Sequence, residues 1–263
     1  MRGRLLKGYL PLARSMALLA IPIAALCSDS NTTGQPSPNA EFQFVRLSYT
    51  GATLFGGRER WLTDWPDAEQ HLIRGIKRLT RIDTADEGHY LSIMDDSLFD
   101  YPWIYAVEVG NWVLTDEETA RLREYLLRGG FLVVDDFWGP EQWEIFRQTM
   151  DRVLPGRPIT DISRSDSVMN LLYNIQEQDL TFIPGSRHLR RGYRGSIEIE
   201  QPAGTSPAWR ALHDDRQRMV VAINFNTDMA DGWEFADAPY YPEKMTTLAY
   251  RYGINYVVYA MTH

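Results

Sequence analysis

The chain has 263 residues, of which 44% are hydrophobic and 12% aromatic, and its formal net charge is −8. This length suits one large α/β domain with a full core, or two small domains. An acidic surface repels phosphate backbones and anionic lipid headgroups. We therefore expect no nucleic-acid partner, and we expect membrane contact only through the amino-terminal segment.

The amino terminus has the pattern of a secretory signal. Its first fourteen residues carry four basic side chains and no acidic one, namely Arg2, Arg4, Lys7 and Arg14. An uncharged apolar run follows over residues 16–26 and is too short to span a bilayer in isolation. We expect residues 1–27 to be a signal peptide or an N-terminal membrane anchor. The domain is then exported to the periplasm or the cell envelope.

The only cysteine of the chain, Cys27, stands at the end of this segment. Ala25-Leu26-Cys27 resembles a small-x-small cleavage site, so Cys27 is either lost with the signal or kept as a lipid anchor. Leu26 is a poor residue before a lipidated cysteine. In both cases the mature domain has neither a disulfide nor a cysteine nucleophile.

Residues 28–41 are polar and contain proline, and they predict a linker that buries no core. The folded domain is predicted to span residues 42–263 and to begin with an alternating strand over residues 42–49. A helix is predicted after Pro66. Its apolar positions recur at helical spacing, at Leu72, Ile73, Ile76 and Leu79.

Strands and helices alternate through the rest of the domain. Strands are predicted over residues 90–94, 103–107, 131–135 and 219–225. A helix begins at a capping box formed by Thr115 and Glu118 and ends at Gly129-Gly130. Further helices are predicted from Pro140 and over residues 245–261, whereas residues 155–217 are predicted to be rich in loops. This alternation predicts one α/β domain, a three-layer sandwich with a mostly parallel central sheet. Its central strands are predicted to include those over 90–94, 131–135 and 219–225.

Several blocks of residues carry a resemblance to a known family. They are Phe44-Val45-Arg46-Leu47, Tyr101-Pro102, Gly129-Gly130-Phe131, Asp135-Asp136-Phe137-Trp138-Gly139, Asp231-Gly232-Trp233-Glu234 and Gly253-Ile254-Asn255-Tyr256. In these blocks, and in their order, the chain resembles the DUF4159 family of bacterial domains of unknown function. The resemblance implies a flavodoxin-like fold, similar to class I glutamine amidotransferases, in an exported or membrane-associated protein.

The resemblance does not extend to amidotransferase chemistry. Those enzymes place a cysteine nucleophile just after a central strand. Here Asp135-Asp136 stand at the comparable strand end, and no cysteine follows Cys27. Glutamine amidotransferase activity is therefore excluded.

Carboxylates follow three of the predicted strands. Asp95 follows the strand over 90–94, Asp135 and Asp136 end the strand over 131–135, and Asp228 and Asp231 follow the strand over 219–225. In an open parallel sheet, ligands bind outside the carboxyl ends of the strands. Acids that cluster there raise one another's pKa or recruit a cation. A divalent cation is thus the one cofactor considered, with Asp95, Asp135 and Asp228 as candidate ligands.

An alternative interpretation assigns the two adjacent aspartates to the scaffold. Neighbouring side chains on a strand point to opposite faces, so Asp135 and Asp136 cannot hold one ion unless the chain has already turned. In this alternative, one of them caps a helix or accepts from loop amides, and the other faces solvent.

Aromatic side chains are predicted in loops beside these acids. They are Trp61, Trp65, Trp138 and Trp233, which flank the strand ends, and Asn226 lies nearby in the sequence of this edge. Exposed indoles beside carboxylates are typical of sugar binding. Alternatively, these rings pack back onto the core, as loop aromatics often do. The basic segment over residues 187–191 either grips an anion or an acidic partner, or is a solvated loop.

Other catalytic patterns are missing from the sequence. The five histidines lack zinc-site spacing, no Gly-x-Ser-x-Gly elbow occurs, and the glycine pairs lack phosphate-loop spacing. The leading hypothesis is a non-catalytic ligand- or protein-binding domain of the bacterial cell envelope, with an envelope protein or glycan as its partner. The alternative is a hydrolase acting on glycan or peptide through a carboxylate cluster at the C-terminal edge of the sheet.

Overall fold

A computed structural model describes residues 40–54 and 57–263. The predicted signal or anchor over residues 1–27, and residues 28–39 of the predicted linker, lie outside the described residues. Within the described ranges, no helix combines the length and the apolar character needed to cross a membrane.

Nine strands and five α-helices are described in these ranges. The strands are Val45–Ser48 (β1), His89–Ser92 (β2), Trp103–Val107 (β3), Phe131–Phe137 (β4), Thr160–Asp161 (β5), Leu189–Arg191 (β6), Ile197–Ile199 (β7), Ala208–His213 (β8) and Met219–Phe225 (β9). The helices are Asp67–Leu79 (α1), Asp116–Leu127 (α2), Gly139–Val153 (α3), Met229–Glu234 (α4) and Glu243–Thr262 (α5).

Seven strands form one mostly parallel sheet in the order β2-β1-β3-β4-β9-β8-β5. The strands from β2 to β9 in this order pair in parallel. At the other end of the sheet, β8 is antiparallel to β9 and β5 is antiparallel to β8. The strands β6 and β7 form a separate antiparallel pair.

Helices cover both faces of this sheet, because alternate residues of each central strand point to opposite sides. On one face, Trp103, Tyr105 and Val133 belong to a core cluster with residues of α1, α4 and α5. On the other face, Ile104 and Leu132 belong to a second cluster with residues of α2 and α3. The predicted three-layer α/β architecture is therefore confirmed.

Most predicted elements are present, with shifted bounds. The strand over 103–107 and the capping box of Thr115 and Glu118 are as predicted. The first strand is shortened to β1, since Phe42 forms only an isolated bridge with Thr84. The strand predicted over 131–135 continues to Phe137.

The sheet differs from the prediction in two ways. The strand predicted over 90–94 ends at Ser92, where a turn begins, and it lies at the sheet edge rather than at its centre. Residues 155–217 are rich in loops, as predicted, but they also contain β5 to β8, which were not predicted. The longest of these strands is β8. Its apolar alternation is interrupted by Arg210, whose guanidinium lies 4.4 Å from the ring centroid of Trp143.

The topology brings polar residues together at one edge. The strands β3, β4 and β9 are neighbours at the centre of the sheet and run in the same direction. Their carboxyl ends lead into Glu108, Asp135-Asp136 and Asn226–Asp228. In a parallel sheet this is the edge at which ligands bind.

Candidate functional site

The strand β4 bends near its carboxyl end, where its two aspartates are still buried in the core. The pairing between β4 and β9 shifts between Val134 and Phe137, and Asp136 has a left-handed backbone with a φ of 49°. Such a bulge bends the strand and re-aims its side chains. As a result, Asp135 and Asp136 are both buried, at 0% and 1% exposure.

Asp135 anchors α4 to the sheet. Its Oδ2 accepts from the Tyr105 hydroxyl at 2.7 Å, from the Met229 N–H at 2.7 Å and from the Ala230 N–H at 3.1 Å. Burial raises the pKa of Asp135 to about 7, against the effect of these donors. In the alternative interpretation, one of the two aspartates caps a helix. Asp135 does accept from helix amides, but they belong to α4 rather than to α3, the next helix in the chain.

Asp136 does not face solvent, contrary to that interpretation. Its Oδ1 accepts from Trp138 Nε1 at 2.6 Å and from a guanidinium nitrogen of Arg187 at 2.8 Å. The guanidinium also lies 5.1 Å from the Trp138 ring centroid. Burial raises the pKa of Asp136, while the charge of Arg187 opposes that shift. The other oxygen, Oδ2, is buried with no hydrogen-bond partner.

The short helix α4 carries two further acids. Asp228 is its N-cap, and Oδ1 of Asp228 accepts from the Asp231 N–H at 2.9 Å. The Asp231 carboxylate accepts in turn from the Ser186 N–H. Both side chains are buried, at 1% and 5% exposure. The contact of Asp135 with the first amides of α4 fixes where both carboxylates lie.

A third acid, Asp64, reaches the same place from the loop before α1. One carboxylate oxygen each from Asp64, Asp228 and Asp231 lies within 4.8 Å of the others, and we call these residues the carboxylate triad. The loop is held by Arg46 of β1, which donates to the Thr63 carbonyl at 3.1 Å and to the Trp61 carbonyl at 3.3 Å.

Like charges dominate the electrostatics of the triad. The pKa values of Asp64 and Asp228 are raised well above the ordinary range, first by burial and then by neighbouring acids. Glu234, within hydrogen-bonding reach of Asp231 and Asp64, has its pKa raised to about 7 by burial and by Asp231. Among the described residues, no arginine or lysine forms an ion pair with a triad carboxylate.

The nearby arginines are already paired with other acids. Arg46 is fully buried and pairs with Glu69, which it approaches to 2.5 Å through its Nε. Arg60 pairs with Glu108 at 3.1 Å, next to the end of β3. Arg187 pairs with Asp136 and is half exposed. The charges of Arg46 and Arg187 act on Asp64 and Asp228 from a distance, but no described arginine forms an ion pair with a triad carboxylate.

Three sequence candidates lie apart from the triad or have another role. Asp95 is exposed beside the edge strand β2, where its carboxylate accepts from the Ser92 N–H at 2.7 Å. Trp233 is fully buried in α4 against the ring of Tyr105, as the alternative of core-packed rings expects, so it does not line an exposed sugar site. Asn226 braces the loops at the strand end by accepting from the Gly139 N–H at 2.8 Å.

Of the remaining aromatic candidates, Trp138 lies closest to the acids. It is partly exposed and packs 4.6 Å from the His188 ring and 5.8 Å from the Phe182 ring. Trp61 and Trp65 instead pack on the ring of Tyr90, at 4.9 and 5.8 Å.

Sequence reasoning missed Asp64 and Glu234. Asp64 follows no strand, and only the folding of its loop over β1 brings it to the strand ends. Glu234 lies in the motif that supported the family resemblance, but the short helix α4 was not predicted. Placing Asp231 and Glu234 on consecutive turns of a helix would have indicated that they lie close together.

The fold and this site define an α/β domain with buried acids at the carboxyl edge of its parallel sheet. The family model for a domain of unknown function, DUF4159, matches residues 43–261. The protein therefore belongs to the DUF4159 family, as the sequence blocks indicated. No curated protein matches the chain.

The two adjacent aspartates are expected to respond differently to truncation. Asp135→Ala leaves three buried donors without an acceptor and should lower the free energy of unfolding by about 3 kcal/mol or more. Asp136→Ala leaves the partly exposed Trp138 Nε1–H and a half-exposed arginine without their acceptor, but it also removes a buried charge that opposes the ionisation of Asp228 and so offsets part of this cost. It should change the free energy of unfolding by less than about 1.5 kcal/mol.

Urea unfolding of both variants and the wild type at pH 7 measures this difference. The comparison requires that the dependence of the free energy of unfolding on urea concentration, the m-value, be the same for all three proteins. A cost at Asp136→Ala that equals or exceeds the cost at Asp135→Ala would contradict the separate roles given to these residues.

Proposed function

We propose that this protein is an exported, non-catalytic binding domain of the cell envelope, and that it binds a positively charged ligand at the carboxylate triad. One observation carries the proposal. The triad brings three carboxylates within 4.8 Å, and no cationic side chain of the described residues pairs with them.

Burial of like charges without a counter-charge is unfavourable, and it can be relieved in two ways. Either the carboxyl groups bind protons, or a cation enters and satisfies them. A cation that binds the folded state alone stabilises it by mass action. The geometry therefore supports a site that is completed by its ligand.

The triad has a side open to solvent. Glu234 and the loop residue Asp64 are partly exposed, although Oδ2 of Asp64 is buried, whereas Asp228 and Asp231 are buried. A ligand therefore approaches past Glu234 and the loop that carries Asp64. Positively charged groups of the envelope that could bind the triad are inorganic cations and the amino groups of peptides and amino sugars.

Export is supported by the basic and then apolar pattern of residues 1–27. Fractionation of the source cells should place the protein in the periplasm or the envelope, with residues 1–27 either removed or embedded in the membrane. A full-length protein recovered in the cytosol would contradict export.

Ligand binding should raise the melting temperature of the full-length chain. The panel comprises divalent metal chlorides, spermidine, glucosamine oligomers and lysine-containing peptidoglycan fragments, at constant ionic strength. At about 100 times the dissociation constant, a ligand stabilises the fold by about 2.7 kcal/mol, which corresponds to roughly 5–10 °C.

Two variants locate the binding. Asp228→Asn keeps an N-cap residue but removes a triad charge, so it should lose the shift. Asp95→Asn is the matched control, because Asp95 is exposed on the edge strand, and it should keep the shift. The proposal fails if no cation of the panel shifts the wild type, or if both variants respond alike.

A second function, a hydrolase acting on glycan or peptide, is favoured by one observation. Asp136 holds a left-handed backbone at a strand-to-helix turn and keeps one carboxylate oxygen unpartnered, as a strained nucleophile position would. Turnover of peptidoglycan fragments by the wild type, abolished in Asp136→Asn, would replace the binding proposal with this one.

A further inference from the structure

We infer that the cation of this site is a hard divalent metal ion, of the Mg²⁺, Mn²⁺ or Ca²⁺ kind, coordinated by Asp64, Asp228 and Asp231. The inference rests on the proposed function, namely that the triad binds positive charge, and it names the ligand class. It is argued from the spacing of the oxygens, from unpartnered buried carboxylate oxygens in and beside the triad, from the donor chemistry and from the close packing of Gly185.

The spacing of the triad suits one ion. Three oxygens from separate residues lie within 4.8 Å of one another. Metal–oxygen bonds of about 2.0–2.6 Å keep oxygens on one ion no farther apart than about twice that length. The triad thus meets this condition without a change of backbone.

A fourth carboxylate beside the triad is left incomplete. Asp136 is 1% exposed, yet its Oδ2 has no hydrogen-bond partner, and its charge acts on Asp64, Asp228 and Asp231. Buried polar atoms normally have a hydrogen-bond partner. Within the triad itself, Oδ2 of Asp64 is likewise buried without a partner, so a ligand atom of the proposed ion is left unsatisfied in the protein alone.

The chemistry of the ligand atoms determines which metal ions the site prefers. Every triad donor is a carboxylate oxygen, and oxygen ligands suit hard cations such as Mg²⁺, Mn²⁺ and Ca²⁺. The nearby His188 accepts through Nδ1 from the Gly185 N–H at 3.1 Å, so this nitrogen is occupied. The only cysteine of the chain lies at position 27. Among the described residues, the group of side chains close enough to share an ion consists of the three aspartates, so it offers none of the nitrogen and sulfur ligands that zinc prefers.

The backbone packs closely on the triad at Gly185. A Cβ atom at Gly185 would lie 2.8 Å from Asp228 Oδ2 and 3.3 Å from Asp231 Oδ2. Gly185 has an ordinary φ of −65°, so its lack of a side chain serves this close approach rather than a special backbone conformation. A methyl group at this position would displace the two carboxylates.

Metal titration of the chelator-treated full-length chain tests the inference. Bound Mn²⁺ is measured by the loss of the free Mn²⁺ electron paramagnetic resonance signal, and Mg²⁺, Ca²⁺, Zn²⁺ and spermidine compete with it. One Mn²⁺ should bind per chain, Mg²⁺ or Ca²⁺ should displace it, and spermidine should not.

Variants assign the ligands. Asp64→Asn and Asp231→Asn should each weaken Mn²⁺ binding more than about tenfold, since even outer partners of metal ligands commonly contribute 10–100-fold. Gly185→Ala should weaken it as well, because its methyl group displaces the Asp228 carboxylate. Asp95→Asn should bind like the wild type. Circular dichroism confirms that each variant is folded, and Asp64→Asn is the least disruptive of them because its loop site is partly exposed.

The outcomes separate this inference from the proposed function. If Mn²⁺ does not bind but spermidine or peptide amines shift the wild type and not Asp228→Asn, the metal inference is overturned and the proposed function stands. If Mn²⁺ binds equally to Asp64→Asn and Asp231→Asn, the metal site is elsewhere and the inference fails. If no cation binds, both fail.

Discussion

The carboxylate of Asp135 holds α4 against the end of β4, and the geometry of the site follows from this contact. One of its oxygens accepts from a tyrosine of β3 and from two amides of α4. It therefore joins the two central strands to the helix that carries Asp228 and Asp231. The helix is only six residues long, so its position depends on contacts of this kind rather than on its own stability.

The second half of the site depends on Arg46. This buried arginine pairs with Glu69 of α1, donates to two carbonyls of the loop before Asp64, and lies 5.1 Å from the Tyr105 ring centroid. Tyr105 in turn donates to Asp135. Contacts of Arg46, Tyr105 and Asp135 thus connect both the loop of Asp64 and the helix α4 to the central strands of the sheet. Buried charges that are paired thus position a group of acids that form no ion pair among the described residues.

The sequence predicted the fold and part of the site for a physical reason. Strand and helix periodicities identify a parallel sheet, and residues that follow neighbouring strands of such a sheet must meet at one edge. This reasoning brings together Asp135, Asp136 and Asp228, because β4 and β9 are neighbours. It fails for Asp95, because sequence periodicity does not reveal that β2 is an edge strand.

Other parts of the site depend on tertiary contacts that local patterns do not encode. Asp64 reaches the triad only because Arg46 holds its loop over β1. Trp233 looked like an exposed loop aromatic, but the six-residue helix α4 turns it into the core. The left-handed backbone of Asp136 and the register shift before Phe137 were likewise not readable from two adjacent aspartates.

The central claim is that the carboxylates at this edge are completed by a cation, and anomalous diffraction from a crystal grown with Mn²⁺ tests it most directly. The account predicts one strong anomalous peak within about 2.0–2.6 Å of oxygens from Asp64, Asp228 and Asp231. A well-ordered crystal whose carboxylates show no anomalous peak, and whose oxygens hydrogen-bond to one another instead, would contradict it.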